Sequence, residues 1–138
     1  MGGAGLILLD THALIWLDQD DPALGDRARE LADGALSEGA LAVSAISFWE
    51  VAMLAAKGRI AINLPLAQWW LDFMRAGMLE IALDGEIALA ATKLGNLHPD
   101  PADRFIVATA RALGATLLTA DRRLLDWSGR LDRSDARD

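Results

Sequence analysis

Short apolar runs alternate along the chain with longer stretches in which apolar residues recur at helical spacing. Four of the short runs predict buried β-strands, at 5–10, 41–44, 78–83 and 115–119. The stretches between them predict helices, from residue 11 to about Asp18 and then over 23–37, 45–58, 65–76, 84–95 and 101–113. Strands that alternate with helices in this way favour an α/β fold, in which a central, mostly parallel sheet lies between two layers of helices.

Residues at the predicted helix ends support these boundaries. Ser44 is placed to cap the helix that follows it, and Gly58 is a stop signal at the other end of that helix. Asp100 is a predicted N-cap with Pro101 at the first helical position. This arrangement puts Asp103 in the first turn, near backbone N–H groups that have no partner within the helix.

Length and composition indicate a single domain that spans 1–138. A chain of 138 residues that is 53% hydrophobic can bury a substantial core. Residues 128–138 form a polar C-terminal tail that we expect to fray, unless 131–133 add a short edge strand. The absence of cysteine excludes disulfides, thiolate zinc sites and cysteine nucleophiles. The first apolar stretch is too short for a signal peptide or a membrane span, so we expect a cytoplasmic protein that does not enter a membrane.

Four carboxylates stand where an α/β fold can bring them together: Asp10, Glu50, Asp103 and Asp121. Asp10 and Asp121 follow predicted strands, Glu50 ends an apolar run, and Asp103 opens a helix. Because loops at the carboxyl ends of parallel strands share one edge of a sheet, these acids can meet in one pocket. Clustered carboxylates repel each other, and a hard divalent cation such as Mg²⁺ relieves the repulsion. The pattern therefore predicts a metal site and, as its use, metal-assisted phosphodiester chemistry.

Each acid also has a simpler structural interpretation. Asp10 and Asp121 could merely cap the helices that follow them, and Asp103 could merely complement its helix dipole. Glu50 is harder to explain in this way, because its neighbours are almost all apolar and a buried glutamate needs a partner. Considered together, the four acids favour a site over four independent structural roles.

Other polar residues carry weaker signals. Thr11 and Thr119 adjoin two of the acids, and a hydroxyl can orient a metal-binding carboxylate by hydrogen bonding. Either threonine could instead be a β-branched residue at a strand end. His12 and His98 fit neither a zinc motif nor a Ser–His–Asp pattern, so we assign them no direct chemistry.

The charge balance bears on the substrate. A net charge of −7 argues against tight binding of nucleic acid, although the four clustered acids supply more than half of it. Arginines outnumber lysines by 11 to 2 and can contact phosphate bidentately, so a small or weakly held substrate is expected. A receiver-like α/β module also uses acids at strand ends, but it needs a lysine after a late strand. The two lysines of this chain, Lys57 and Lys93, lie in predicted helices, which argues against such a module. Of the adjacent Trp69 and Trp70, one ring is expected to face a partner.

Three segments carry motifs that are specific as a set: LLDTHALIWL, VSAISFWEVAMLAAKGRI and HPDPADRFIVATARALGATLLTAD. They contain an acid after the first strand, a Trp-Glu pair in a helix that begins Ser-x-x-Ser, a D-P-x-D-R helix start, and T-x-D after a late strand. In these motifs the chain resembles the PIN-domain ribonucleases, and most closely the VapC-type toxins of toxin–antitoxin pairs. The resemblance runs from about Leu6 to Trp127.

The resemblance implies a three-layer PIN-like fold and a metal-dependent endoribonuclease. The family's metal-binding acids fall on Asp10 and Asp103, Glu50 and Asp121 complete the acidic quartet, and the accessory hydroxyl falls on Thr119. The implied cofactor is Mg²⁺, with Mn²⁺ able to substitute. The implied partners are an RNA substrate, a VapB-like antitoxin and a second copy in a homodimer. The alternatives are a DNA nuclease or phosphatase on the same acids, or a non-catalytic α/β binding module.

Overall fold

The computed structural model describes residues 5–138. Within them lie five strands and seven helices: β1 (Ile7–Leu9), α1 (Thr11–Asp18), α2 (Asp26–Ser37), β2 (Leu41–Ser44), α3 (Ala45–Ala56), α4 (Leu66–Ala76), β3 (Leu79–Ile81), α5 (Gly85–Ala91), α6 (Pro101–Leu113), β4 (Thr116–Thr119), α7 (Arg122–Leu125) and β5 (Arg133–Asp135). In this part of the chain, no helix has both the length and the apolar character that crossing a bilayer requires.

The five strands form one sheet in the order β3-β2-β1-β4-β5. Every pair of neighbours among these strands is parallel, which confirms the predicted mostly parallel sheet. At the centre, Leu8 aligns with Ala42 on one side and Leu117 on the other, and all three are fully buried. Burial on both faces explains why these strands are continuous apolar runs. The carboxyl ends of β1, β2 and β4 lie at one edge, so the polar residues after them are brought together.

Alternate residues of the central strands enter two separate apolar cores, one on each face of the sheet. Leu9 packs in a core with Leu14 of α1 and Ala32 of α2. Leu8 packs in the opposite core with Ile106 of α6 and other residues of α5 to α7. The period-2 alternation of a strand therefore produces the three layers, helices–sheet–helices, that the sequence predicts.

Polar side chains start five of the helices at the positions where the chain leaves the sheet or a loop. The residues whose side chains accept a hydrogen bond from a first-turn N–H group are Asp10, Ser44, Asp84, Asp100 and Asp121. The predicted caps at Ser44 and Asp100 are confirmed, with Pro101 at the start of α6. Gly58 lies just beyond α3 and has a φ of +71°, which suits a residue without a side chain.

Helix α5 ends earlier than the apolar pattern predicts, at Ala91 instead of residue 95. After Ala91 the N–H groups of Thr92 and Lys93 donate to carbonyls three residues back instead of four, so the α-helix tightens into a turn. Arg104 on α6 binds carbonyl groups at the end of α5 and in the loop that follows. Its Nε donates to the carbonyl of Ala91 at 2.9 Å, and its Nη1 donates to that of Leu97 at 2.8 Å. The guanidinium thus fastens the loop before α6 and sets the position of the first turn of that helix.

The expectation of a frayed tail over 128–138 is wrong. Residues 133–135 form β5, which pairs with β4, and this strand overlaps the suggested edge strand at 131–133 only at Arg133. The Arg133 guanidinium donates to the carbonyls of Leu124, Trp127 and Gly129 at 2.6, 2.8 and 3.1 Å. Polar residues that make internal hydrogen bonds have the same composition as a solvated tail. The polar composition of 128–138 therefore wrongly predicted a frayed segment.

The chain after β5 docks against the start of α2. The N–H of Gly25 donates to the carbonyl of Ala136 at 2.9 Å, and the N–H of Arg27 donates to that of Asp138 at 3.0 Å. A Cβ atom at Gly25 would lie 2.1 Å from the backbone of Asp138, so only glycine permits this approach. The chain end is therefore held between β4 and α2.

Candidate active site

A pocket of about 370 Å³ opens at the carboxyl edge of the sheet, and all four carboxylates singled out from the sequence line it. The full lining comprises Asp10, Thr11, His12, Trp16, Glu50, Asp100, Asp103, Ala120, Asp121, Arg123 and Arg137. These residues come from segments that are up to 127 positions apart, from Asp10 to Arg137. The parallel topology assembles them, as the strand-end argument predicts.

Asp10 lies between β1 and α1 and is 6% exposed. Its Oδ1 accepts the Ala13 N–H at 2.8 Å, and its Oδ2 accepts the Thr119 hydroxyl. Burial raises the pKa of Asp10 to about 6, and these two hydrogen bonds offset only part of the increase. The N-cap interpretation of Asp10 is therefore correct, and the same side chain also lines the pocket.

Glu50 projects from α3 and is half-buried. The Thr11 hydroxyl donates to its Oε1, and the Ser47 hydroxyl lies 2.9 Å from that of Thr11. Burial raises the pKa of Glu50, the Thr11 hydrogen bond opposes the rise, and the negative charge of Asp103 adds to it. The Glu50 carboxylate, which the sequence marks as costly to bury among apolar neighbours, is thus held in the pocket by the hydroxyls of Thr11 and Ser47.

Asp103 occupies the first turn of α6, and His98 precedes it in the loop. Nε2 of His98 lies 2.7 Å from Oδ2 of Asp103, so the imidazole N–H donates to the carboxylate. Burial raises the pKa of Asp103 more than this hydrogen bond lowers it, and the charges of Asp100 and Asp121 raise it further. His98, to which the sequence assigned no direct chemistry, therefore orients a pocket carboxylate.

Asp121 differs from the other three acids because an arginine neutralises it. Nε of Arg123 donates to Oδ1 at 3.2 Å, and Nη2 donates to Oδ2 at 3.0 Å. The same Nη2 lies 3.6 Å from Oδ2 of Asp103. Burial alone would raise the pKa of Asp121, but the hydrogen bonds and charge of Arg123 outweigh it, so that this pKa lies below its ordinary value. No pattern in the sequence indicated which acid would receive a cation.

The two threonines contact the acids as the site interpretation expects. The Thr119 hydroxyl donates to Asp10 and accepts the backbone N–H of Asp121 at 3.1 Å, so it joins two of the acidic positions. The Thr11 hydroxyl donates to Glu50. A β-branched residue that merely ended a strand would not require these contacts, and the hydroxyls fix the direction in which the carboxylate oxygens point.

The oxygen-rich pocket suits a hard divalent cation, but among the described residues only Asp103 and Asp121 of the four carboxylates belong to a group of closely spaced ligand atoms. Within residues 5–138, one trio of side chains offers ligand atoms that all lie within 4.8 Å of one another: His98, Asp103 and Asp121. Asp10 forms no ion pair with any residue in this range, although burial disfavours its charge. Carboxylate oxygens that lack a compensating cation are the ligands that Mg²⁺ and related ions prefer.

Comparisons with known proteins agree with the fold. Residues 7–128 match the family model described as PIN domain. Ribonuclease VapC22 from Mycobacterium tuberculosis is 36% identical over 119 residues, which cover 86% of this chain and 88% of that protein.

Two solved structures share the fold at low sequence identity. VapBC2 from Rickettsia felis, bound to a DNA fragment from its promoter, has a TM-score of 0.69 and 17% identity, covering 94% of this chain and 98% of that one. DNA-bound VapBC from Salmonella typhimurium has a TM-score of 0.67 and 15% identity, covering 96% and 98%. The predicted fold and resemblance are confirmed: the chain belongs to the PIN domain family and, within it, to the VapC-type proteins.

Proposed function

We propose that this protein is a metal-dependent endoribonuclease that acts as the toxin of a toxin–antitoxin pair. The observation that carries the proposal is the convergence of Asp10, Glu50, Asp103 and Asp121 in one pocket, where three of them have a raised pKa. Carboxylates with perturbed pKa values that share a cleft are typical of functional sites. The similarity to a protein named ribonuclease supports RNA as the proposed substrate class.

The four carboxylates are the proposed ligands of Mg²⁺, and Mn²⁺ is expected to substitute. When bound, such a cation supplies an activated water for attack on the phosphodiester and charge stabilisation at the phosphate. Asp10 and Glu50 contribute oxygens that Thr119 and Thr11 already orient. This preorganisation means that the carboxylates need little rearrangement during the reaction.

Asp103 and Asp121 are the two acids that the protein itself partly compensates. His98 holds Asp103 by its imidazole N–H, and Arg123 holds Asp121 by a bidentate contact. Nη2 of Arg123 also lies 3.6 Å from Oδ2 of Asp103, so this arginine lies between the two acids. His98 is thus a positioning residue in the proposed reaction.

The proposed protein partners are a VapB-like antitoxin and a second copy of this chain. Both solved structures described above are VapBC assemblies, which supports the antitoxin. An acidic pocket in a chain of net charge −7 would attract a basic segment. Large apolar side chains remain exposed for such contacts: Trp49 at 55%, Trp70 at 38% and Leu89 at 68%. Trp69 is buried, so Trp70 is the member of the tryptophan pair that can meet a partner.

The decisive experiment is cleavage of labelled transfer RNA and other structured RNA by antitoxin-free protein, with Mg²⁺, Mn²⁺ or EDTA. Asp103→Asn should abolish cleavage, whereas Asp33→Asn, which alters an exposed acid on α2, should not. Parallel reactions with single-stranded DNA and with p-nitrophenyl phosphate test the alternative nuclease and phosphatase functions. Folded wild-type protein that cleaves no RNA under any of these conditions would overturn the proposal.

A further inference from the structure

The acid-lined pocket contains one arginine that pairs with none of its carboxylates. Arg137 lines the pocket, yet within residues 5–138 no carboxylate oxygen lies within ion-pair distance of its guanidinium. Its Nη1 donates to the carbonyl of Ala120 at 2.5 Å. Its guanidinium carbon lies 5.8 Å from the centroid of the Trp16 ring, a cation–π distance.

The backbone around Arg137 fixes the place of this guanidinium. The N–H of Ala136 donates to the carbonyl of Thr119 at 2.9 Å, which extends the pairing of β5 with β4. The N–H of Arg137 donates to Oδ1 of Asp135 at 2.9 Å. Since Ala120 directly precedes Asp121, the contact to its carbonyl brings the positive charge beside the acidic cluster.

Arg137 differs in this respect from Arg123, the other arginine of the pocket. Arg123 commits Nε and Nη2 to Asp121, so its charge compensates a carboxylate of the protein. One N–H of the Arg137 guanidinium donates to a neutral carbonyl, and the group packs against an aromatic ring. Most of its N–H donors are therefore available to a ligand. A planar guanidinium with free donors, held in place before binding, is suited to bidentate recognition of phosphate.

We propose that Arg137, supported by Trp16, binds a backbone phosphate of the RNA substrate next to the cleaved bond. The inference rests on the proposed nuclease function and adds a substrate-binding residue to it. It also explains how a protein of net charge −7 can hold an anionic polymer, because the positive charge is placed at the site of reaction. A single such contact fits a weakly held substrate.

The test is binding of fluorescently labelled transfer RNA, measured by anisotropy at several salt concentrations in Mg²⁺. All proteins carry Asp103→Asn so that the RNA stays intact. Arg137→Gln should weaken binding about tenfold and reduce the slope of log K against log salt by about 0.7, the value for one phosphate contact on a single strand. Arg137→Lys should restore most of the slope. Arg130→Gln removes the same charge from an exposed residue outside the pocket and should leave both quantities unchanged.

Cleavage kinetics provide a second measurement that a merely structural role would not reproduce. In the otherwise wild-type enzyme, Arg137→Gln should raise KM and leave kcat within about twofold, since the contact is made equally in the bound and transition states. Equal slopes for Arg137→Gln and its parent would overturn the inference. If that occurred while the wild-type enzyme still cleaved RNA, the proposed function would stand. A wild-type protein that neither binds nor cleaves RNA would overturn both.

Discussion

Metal-free protein should become less stable as pH rises from 4 to 7, and Asp10 should account for much of the change. Its pKa is about 6 in the folded state and 3.8 when the group is solvated. The folded state therefore binds the Asp10 proton more tightly than the unfolded state does. The stabilisation that this proton gives is complete below pH 4 and is lost as pH rises through 6. The difference in pKa corresponds to about 3 kcal/mol of the free energy of unfolding.

Asp10→Asn should remove this dependence. The amide keeps an oxygen for the Ala13 N–H and can donate to Thr119, while the ionisable group is lost. At pH 7 in EDTA the variant should gain up to about 3 kcal/mol, a rise of about 1–2 M in the midpoint of urea unfolding. Glu50 and Asp103 also have raised pKa values and should leave a smaller slope of the same sign, whereas Asp121 acts in the opposite direction at low pH.

The assay is urea unfolding followed by tryptophan fluorescence at pH 4.5, 5.5, 6.5 and 7.5, with EDTA present. The exposed substitution Asp33→Asn is the matched control and should follow the wild type. Adding Mg²⁺ or Mn²⁺ at pH 7 should restore stability to the wild type and have less effect on Asp10→Asn, because a cation bound only by the folded state stabilises it. Wild-type stability that stays constant or rises between pH 4.5 and 7.5 would refute the reasoning.

Three further predictions concern the groups around the acids. Arg123→Gln should tighten Mn²⁺ binding, measured by calorimetry, by up to about fivefold, because it removes a cation that competes for Asp121; this is the equivalent of one exposed ion pair. The control Arg122→Gln should leave Mn²⁺ affinity unchanged. Weaker Mn²⁺ binding by Arg123→Gln would instead assign Arg123 an orienting role. His98→Ala should lower metal affinity or activity by about 10- to 100-fold, and unchanged values would contradict its contact with Asp103. Thr119→Val should lower the free energy of unfolding by about 1–3 kcal/mol in urea titrations, since a buried acceptor and a backbone N–H lose their partner; an unaltered midpoint would contradict this.

Local signals in the sequence were sufficient for the first four strands of the sheet and for the predicted helix caps. The apolar runs that became β1, β2 and β4 are continuous because both faces of these strands are covered, and few other structures produce that pattern. Ser44 and Asp100 cap their helices through contacts within three residues. Their roles could therefore be predicted without knowledge of tertiary contacts. Strand direction accounts for the meeting of Asp10 and Asp121, which follow β1 and β4, whereas Glu50 and Asp103 reach the same pocket from α3 and α6.

Contacts between distant segments account for what the sequence did not reveal. Arg104 binds carbonyls at the end of α5 and in the following loop, and Arg133 of β5 binds carbonyls of the preceding segment, whose polar composition predicted a frayed tail. An arginine that binds carbonyls inside the fold has the same local pattern as one on the surface. The choice of Arg123 as the partner of Asp121, and of His98 as the partner of Asp103, also depended on tertiary placement.

If Arg137 binds RNA as proposed, the missing side chain at Gly25 gives this residue at the start of α2 an indirect influence over RNA binding. Replacement by alanine would displace the chain around Asp138 and, through it, Arg137, while leaving the four acids in place. In a genetic screen for harmless variants of this toxin, substitutions at Gly25 would be recovered beside those in the acidic quartet. If the quartet binds metal as proposed, the Gly25 variants would differ from quartet variants by retaining metal affinity, although Gly25 itself does not line the pocket.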